Sequence, residues 1–492
     1  MVYLPIMTSE ETITISREEY QSMKQQIVLL THQLSELRRM IFGAKSERFI
    51  TTDTDQMTLF DLPEQRAKSQ EKEQITYTRN KSDKNKKQPL RLELAAHLPR
   101  KEEIIEPENL PEGAKKIGEA VTEILEYEPS QIYVRRIVRP KYIVSTNDEQ
   151  TQIAVADLPT LPIPKGNAGA GILAHILISK FVDHLPFYRQ VQIFKRQQVV
   201  IAESTISGWF NTTTNLLEPL YDTLKKRLLS TGYIMADETP LPVLTKDKPG
   251  ASHKGYHWVY YDPVNKLVLF DYQKTRSREG PDKMLENYTG YLQTDGYAAY
   301  THLKNQKQIT LLACMAHARR KFEHAKDNDP ARAQEALLMF QKLYDIDRMA
   351  REGNFSFDRI KELRQQKALP VLNKMEAWLK ENIYQTLPKS AIGQAIAYTL
   401  KLWPRLVRYA EDGRFKIDNN LIENSIRPVA LGRKNYLFAG SHHAAQQAAI
   451  IYSLLATCKI NNVEPFGWLK HVLNVIPDYY ANQLYKLLPG QN

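Results

Sequence analysis

The chain has 492 residues, a length typical of about three domains. Its 67 Lys and Arg residues outnumber 56 acidic ones, and the formal net charge of +11 favours a polyanionic partner such as DNA as strongly as it favours ordinary solvated lysines. The two cysteines, Cys314 and Cys458, are too few for a disulfide framework or a four-thiolate zinc site. Because no signal peptide or membrane span is recognisable, we expect a cytoplasmic protein without a membrane partner.

The N-terminal region, residues 1–50, carries apolar residues that alternate spacings of three and four. This heptad seam predicts a coiled coil, with a parallel dimer favoured over a single amphipathic helix packed on its own domain. Residues 51–90 are polar and charged, which predicts a flexible basic linker. The seam consists of Tyr20, Met23, Ile27, Leu30, Leu34, Leu37 and Ile41.

Two further regions precede the strand-rich part of the chain. In residues 91–165, short apolar stretches alternate with Pro and charge, which predicts a small β-rich module. Residues 166–230 predict a helix-turn-helix-like DNA-binding region with segments near 170–181, 186–195 and 204–217. Ser204 is expected to cap the third segment and to expose Thr205, Ser207 and Asn211 as candidate groove contacts. A plain helical hairpin that joins two domains is the alternative.

From residue 231 the pattern changes to strands, with an antiparallel meander followed by alternating strands and helices. This order predicts a ribonuclease H-like α/β core, whose first part is residues 231–325. Asp237 lies on the first strand and Asp295 just beyond the fourth. Because these would be adjacent central strands, we expect the two carboxylates to converge.

The remainder of the chain is predicted to complete this core. Residues 326–414 read as a helical insertion, 415–455 as the second part of the core, and 456–492 as a C-terminal helical region. Glu423 lies on a helix of the second part and is expected to close a triad with the two aspartates. Strand alternation turns Glu238 to the opposite face, and Asp418 is expected to cap the Glu423 helix.

Three carboxylates in this arrangement predict a metal site that cuts or joins nucleic acid. Displacement at phosphorus builds negative charge, which two Mg²⁺ ions neutralise in related chemistry, and hard carboxylate oxygens are suitable ligands. Mn²⁺ is a possible substitute. Basic residues near the triad are candidate DNA contacts, with solvated helix faces as the alternative: His317, Arg319, Arg320, Arg427, Arg433 and Lys434.

Several long motifs occur in a specific order: FGAKSERF, MADETP, QTDGYAAY, CMAHARRKF, DNNLIENSIRPVALGRKNYLFAGS and NNVEPFGWLKHVL. On these the chain resembles, over nearly its whole length, the transposases of insertion sequence family sixty-six, a bacterial DDE group. The resemblance implies that Asp237, Asp295 and Glu423 are the catalytic and metal-binding residues. They would use Mg²⁺ to nick DNA at the terminal inverted repeats of the element and join the freed 3′-hydroxyls to target DNA.

The resemblance also implies accessory proteins of the same element and a homodimer or larger assembly. One feature departs from the family. Many relatives carry a cysteine-rich, zinc-finger-like module, whereas the corresponding stretch ENLPEGAKKIGE has no cysteine, so no zinc is predicted. Two other functions stay open: a non-catalytic DNA-binding regulator derived from a transposase, and a structure-selective nuclease.

Overall fold

The computed structural model describes residues 132–135, 137–138, 141–147, 150–155, 159–164, 166–245, 251–305 and 308–490. The predicted coiled coil, the basic linker and most of the predicted β-rich module lie outside these residues. In the described part of the β-rich module, strands β1 (Lys141–Asn147) and β2 (Gln150–Val155) pair antiparallel.

Three helices follow: α1 (Ala170–Phe181), α2 (Phe187–Arg196) and α3 (Glu203–Leu229). The expected Ser204 cap is wrong, because Ala202 has the extended backbone of the N-cap position and the helix already begins at the next residue. The helix also runs past the predicted end at residue 217. It continues because buried leucines keep helical spacing through Leu220, Leu224 and Leu228, an apolar stripe that packs on the core.

The centre of the fold is a five-stranded mixed sheet in the order β5-β4-β3-β6-β7. β3, β4 and β5 form the predicted antiparallel meander, while β6 and β7 run parallel to β3. The sequence predicts a multidomain α+β chain with an α/β core, and the mixed α/β character of that core is confirmed. The strands are β3 (Tyr233–Leu244), β4 (Ser252–Asp262), β5 (Leu267–Gln273), β6 (Gly290–Thr294) and β7 (Ile309–Ala313).

Short helical segments link the parallel strands, and a run of helices follows them. The interior of that run is held by Arg364, whose side chain is 3% exposed and pairs with Asp347 at 2.7 Å while donating to the carbonyl of Tyr409 at 2.8 Å. The segments are α4 (Glu279–Met284), a 3-10 helix (Ala298–Asn305), α5 (Met315–His324), α6 (Pro330–Glu352), α7 (Phe357–Leu363), a π-helix (Arg364–Ala368), α8 (Leu369–Asn382) and α9 (Ala391–Leu406).

The chain then returns to the sheet with α10 (Asn420–Tyr436), α11 (His442–Ile460) and α12 (Pro465–Val475). Helix α10 packs on β3, and α11 packs along β5. Because α11 runs from His442 to Ile460, it crosses the domain boundary that the sequence predicts between residues 455 and 456. In the described part of the chain, no helix combines the length and the apolar character needed to cross a membrane.

Candidate active site

Strand pairing places Asp237 and Asp295 at the same level of the sheet. β3 and β6 run parallel, and their last paired residues are Met235 and Gln293. Asp237 and Asp295 each lie two residues further along, so the same register sets them side by side. Both residues are partly buried. The sheet thus brings together two carboxylates that are 58 positions apart in sequence (295 − 237).

Asp295 is fixed by the turn that ends β6. Its Oδ1 accepts the backbone N–H of Tyr297 at 2.7 Å, and its carbonyl accepts the hydroxyl of Tyr398 from α9 at 2.9 Å. Gly296 has φ of +90°, and a Cβ there would lie 2.9 Å from a methyl of Leu402. Only glycine fits this turn without strain, since it tolerates positive φ and leaves room for α9.

Glu423 reaches the same edge because the segment before α10 is tethered to the sheet. The N–H of Lys416 donates to the Tyr233 hydroxyl at 3.0 Å, and the N–H of Asn419 donates to Cys314 Sγ at 3.2 Å. The N–H of Met315 donates to the carbonyl of Ile417 at 3.0 Å. Glu423 follows in the first turn of α10, partly buried.

The pKa of Asp237 responds to the acids around it. Burial and, after it, the negative charges of Glu238, Asp295 and Glu423 together raise the pKa of Asp237 to about 8, against one backbone N–H bond from Glu238 that lowers it. Burial also raises the pKa of Glu238, while the ion pair with Arg276 lowers it. Like charge therefore adds to burial in disfavouring the ionised form of Asp237.

The donor chemistry of these residues fits a divalent cation. Carboxylate oxygens are hard ligands, and an excess of buried negative charge is what a bound cation relieves. Within the described residues, however, no three His, Cys, Asp or Glu side chains are positioned to share one metal ion. A Mg²⁺ ion needs only one or two protein carboxylates, because waters and substrate phosphates fill its remaining positions.

Comparison with known proteins identifies the family. A sequence profile described as "Transposase IS66 family" matches residues 165–447, which contain the sheet and all three acids. The chain belongs to the IS66 transposase family. Profiles described as "Transposase C of IS166 homeodomain" and "IS66 C-terminal element" match residues 29–102 and 453–489 of this family member.

Relatives extend over the whole IS66-family chain. The uncharacterized protein y4jD of Sinorhizobium fredii is 31% identical, with 96% of each chain covered. The uncharacterized protein y4qI of the same organism is 33% identical, with 95% of this chain and 89% of its own covered. A shorter match, 46% identical, joins 9% of this chain to 47% of the uncharacterized protein YuaK of Escherichia coli.

The predicted basic residues fall on two helices of this IS66-family fold. On α10, Arg427 and Lys434 are exposed, whereas Arg433 is partly buried and donates to Thr239 Oγ1 at 3.0 Å and to the carbonyl of Pro240. Arg433 therefore ties α10 to β3, the strand of Asp237. Arg433 thus has a structural role in addition to the DNA contact that the sequence predicts.

Helix α5 carries the other predicted basic residues, His317, Arg319 and Arg320, each partly buried. Arg319 pairs with Glu323 at 3.6 Å. Burial and the negative charge of Asp295 raise the pKa of Tyr398 to about 12, against the positive charge of Arg320, which lowers it, and the Tyr398 hydroxyl contacts the Asp295 carbonyl. Helix α5 therefore lies close to the Asp295 turn.

The residues predicted to enter a DNA groove lie on the first turns of α3, a different element from those that carry the acids. Thr205 and Asn211 are exposed, and Ser207 is partly buried. Their side chains can be approached from solvent even though the expected Ser204 cap is wrong.

Sequence reasoning misplaced or missed three features of the site. Asp418 does not occupy the N-cap position of α10, which belongs to Asn419, but its Oδ1 still accepts the N–H of Asn420 at 3.1 Å. Arg276, which pairs with Glu238, lies in a loop, where no residue periodicity in the sequence predicts its contacts. Tyr398 lies in a helix 103 positions after Asp295, and only the fold joins them.

Proposed function

We propose that this chain is a DDE transposase, which cuts DNA at the terminal inverted repeats of its element and joins the freed 3′-hydroxyls to target DNA. The observation that carries the proposal is the register of β3 and β6, which sets Asp237 beside Asp295 within a match to the IS66 transposase family, and the charge of Glu423 acts on the same Asp237. The strand order, with a meander followed by two parallel strands, supports a ribonuclease H-like core.

In this proposal Asp237, Asp295 and Glu423 hold the divalent ions, Mg²⁺ or in its place Mn²⁺. When bound, such ions stabilise negative charge on the attacking and leaving oxygens of a phosphodiester. The chain's own contribution is to keep the three carboxylates together in a partly buried place. A bound cation would offset the repulsion among them, which otherwise favours the protonated form of Asp237.

DNA contacts are proposed for three surfaces. Exposed Arg427 and Lys434 on α10 follow Glu423, which suits contacts to phosphates flanking the scissile bond. His317, Arg319 and Arg320 on α5 and Arg433 on α10 would support the same strands. Thr205, Ser207 and Asn211 on α3 would bind the element ends, in a helix-turn-helix-like region.

The proposed organisation also includes a coiled-coil N-terminus that pairs two chains, so that one assembly can hold two element ends. Residues 326–414 form the helical insertion between Asp295 and Glu423, and accessory proteins of the element complete the assembly. No zinc is assigned to this chain.

The test is Mg²⁺-dependent cleavage and joining of labelled element-end DNA, with the accessory proteins present. The wild type is compared with Glu423→Gln and with the matched control Glu335→Gln, which changes an exposed glutamate on α6. We expect Glu423→Gln to lose cleavage and joining by roughly a thousandfold or more and to keep end binding, because it removes one metal ligand. The control should match the wild type.

Each alternative function predicts a different result in that assay. Cleavage without joining would favour the structure-selective nuclease. End binding without cleavage or joining, in the wild type as in the variant, would favour the non-catalytic regulator. Equal activity of the wild type and Glu423→Gln would contradict the role of Glu423.

A further inference from the structure

A chain of contacts outside the three acids links the strand of Asp237 to the turn of Asp295. It begins at Glu238, the residue after Asp237 on β3, whose side chain is only 2% exposed. Arg276, in the loop after β5, donates from Nε to Glu238 Oε1 at 2.8 Å, and its Nη2 bonds the same oxygen. A loop residue thus neutralises a carboxylate buried beside Asp237.

The contacts continue from Arg276 to the other aspartate. The guanidinium carbon lies 3.9 Å from the centre of the Tyr297 ring, and the Tyr297 hydroxyl donates to the carbonyl of Arg276 at 3.2 Å. The N–H of Tyr297 donates to Asp295 Oδ1 at 2.7 Å, and the N–H of Glu238 donates to Asp237 Oδ1 at 2.8 Å. An unbroken series of contacts therefore joins the two carboxylates.

The chemistry of this series depends on the arginine. A buried carboxylate is costly unless it is paired, so Glu238 needs a cation beside it. A guanidinium can pair with a carboxylate through its edge and stack on an aromatic ring through its face, which a lysine ammonium does less well. This pairing offsets the negative charge of Glu238, which lies next to Asp237 in the sequence.

We propose that Glu238, Arg276 and Tyr297 form a positioning bridge, which sets the spacing of the Asp237 and Asp295 carboxylates for a divalent cation. Arg276 is its central positioning residue. This inference rests on the proposed function, because it concerns the same carboxylates. It assigns roles to three side chains that do not themselves belong to the triad.

The test measures Mn²⁺ binding to the DNA-free full chain by electron paramagnetic resonance, together with kcat and KM for end cleavage. Arg276→Gln removes the charge and the stacking, and Arg276→Lys keeps the charge. The control Arg348→Gln removes an arginine of similar exposure, 42% against 44%, whose partner Asp345 lies on the same helix α6. Tyr297→Leu, which keeps the ion pair, tests the bridge if Arg276→Gln fails to fold.

We expect Arg276→Gln to raise the Kd for Mn²⁺ about tenfold and to lower kcat about 10- to 100-fold, with KM for DNA unchanged, as for partners that orient metal ligands. Arg276→Lys should recover part of both losses, Tyr297→Leu should change both in the same direction by less, and Arg348→Gln should match the wild type. Unchanged Mn²⁺ binding and kcat in Arg276→Gln would overturn the bridge. So would a raised KM with unchanged kcat, which would make Arg276 a DNA contact.

Failure of the bridge can be told apart from failure of the proposed function. If the wild type binds Mn²⁺ but neither cuts nor joins DNA, the proposed function fails, and the Mn²⁺ comparison of wild type and Arg276→Gln still decides the bridge. If the wild type does not bind Mn²⁺ at all, both are overturned.

Discussion

Two regions of the sheet bury polar groups in opposite ways. Along β5, helix α11 supplies hydroxyls to the strand: the N–H of Phe270 donates to Ser453 Oγ at 2.7 Å, and the N–H of Val268 donates to Thr457 Oγ1 at 3.2 Å. Where β6 ends beside β3, by contrast, Asp237 lies near other acids, and burial and like charge raise its pKa to about 8. In one region the buried groups have hydrogen-bond partners, whereas in the other burial and like charge disfavour the ionised form of Asp237.

The difference separates groups that stabilise the fold from groups that are held at a cost to stability. A buried N–H with a partner makes a modest favourable contribution, whereas buried carboxylates near one another raise the free energy of the folded state at neutral pH. Carboxylates kept in such a place are typical of functional sites. This contrast is what an active site beside the end of β6, as proposed above, predicts.

The variant Asp237→Asn in metal-free protein is the most severe test of the contrast between these two regions. Because the pKa of Asp237 is raised from 3.8 to about 8, the folded chain binds this proton more tightly than the unfolded chain, and stability is lost as the pH rises between these values. We expect Asp237→Asn to be more stable than the wild type by an amount that grows by roughly 1.4 kcal/mol per pH unit and levels off above about pH 8.

The measurement is the unfolding midpoint in EDTA from pH 5 to pH 9. The control Asp222→Asn changes an exposed aspartate on α3 and should show no such growth with pH. A stability difference between Asp237→Asn and the wild type that stays flat, or that favours the wild type at pH 8, would remove the contrast between the two regions.

A smaller effect is expected in the region along β5. Ser453→Ala leaves the buried N–H of Phe270 without its hydroxyl partner, which should cost about 1–3 kcal/mol in the free energy of unfolding. Thr212→Ala removes a hydroxyl that bonds the Gly208 carbonyl on an exposed face of α3, and should cost less than about 0.5 kcal/mol. Denaturant unfolding of both variants makes the comparison, and equal costs would show that α11 does not stabilise β5 in this way.

The sequence predicted the core strands and the positions of the acids well, because both depend on local pattern. Runs of strand-forming residues mark β3 to β5, and the sequence placed Asp295 just beyond the fourth strand, where β6 ends at Thr294. The proximity of the two aspartates then followed from the expected strand order. Glu423 could be placed on a helix, since Ile422 and Val429 give that helix a buried face.

Other features depend on tertiary contacts that no local pattern carries. Arg276 lies in a loop, and its partner Glu238 lies 38 positions earlier, on β3. No local sequence pattern links the two residues. The start of α3 was missed because the backbone of Ala202, rather than a polar side chain, begins the helix. Helix α11 crosses the predicted boundary at 455 because its packing along β5 continues to Thr457.

The most direct test of the carboxylate site is a Mn²⁺ titration of the DNA-free chain, in the wild type and in Asp237→Asn, Asp295→Asn and Glu423→Gln. If the three acids hold the cation together, each substitution should raise the Kd by about tenfold or more, and Glu335→Gln should leave it unchanged. Wild-type affinity in any one of the three variants would contradict the shared site and remove that residue from it.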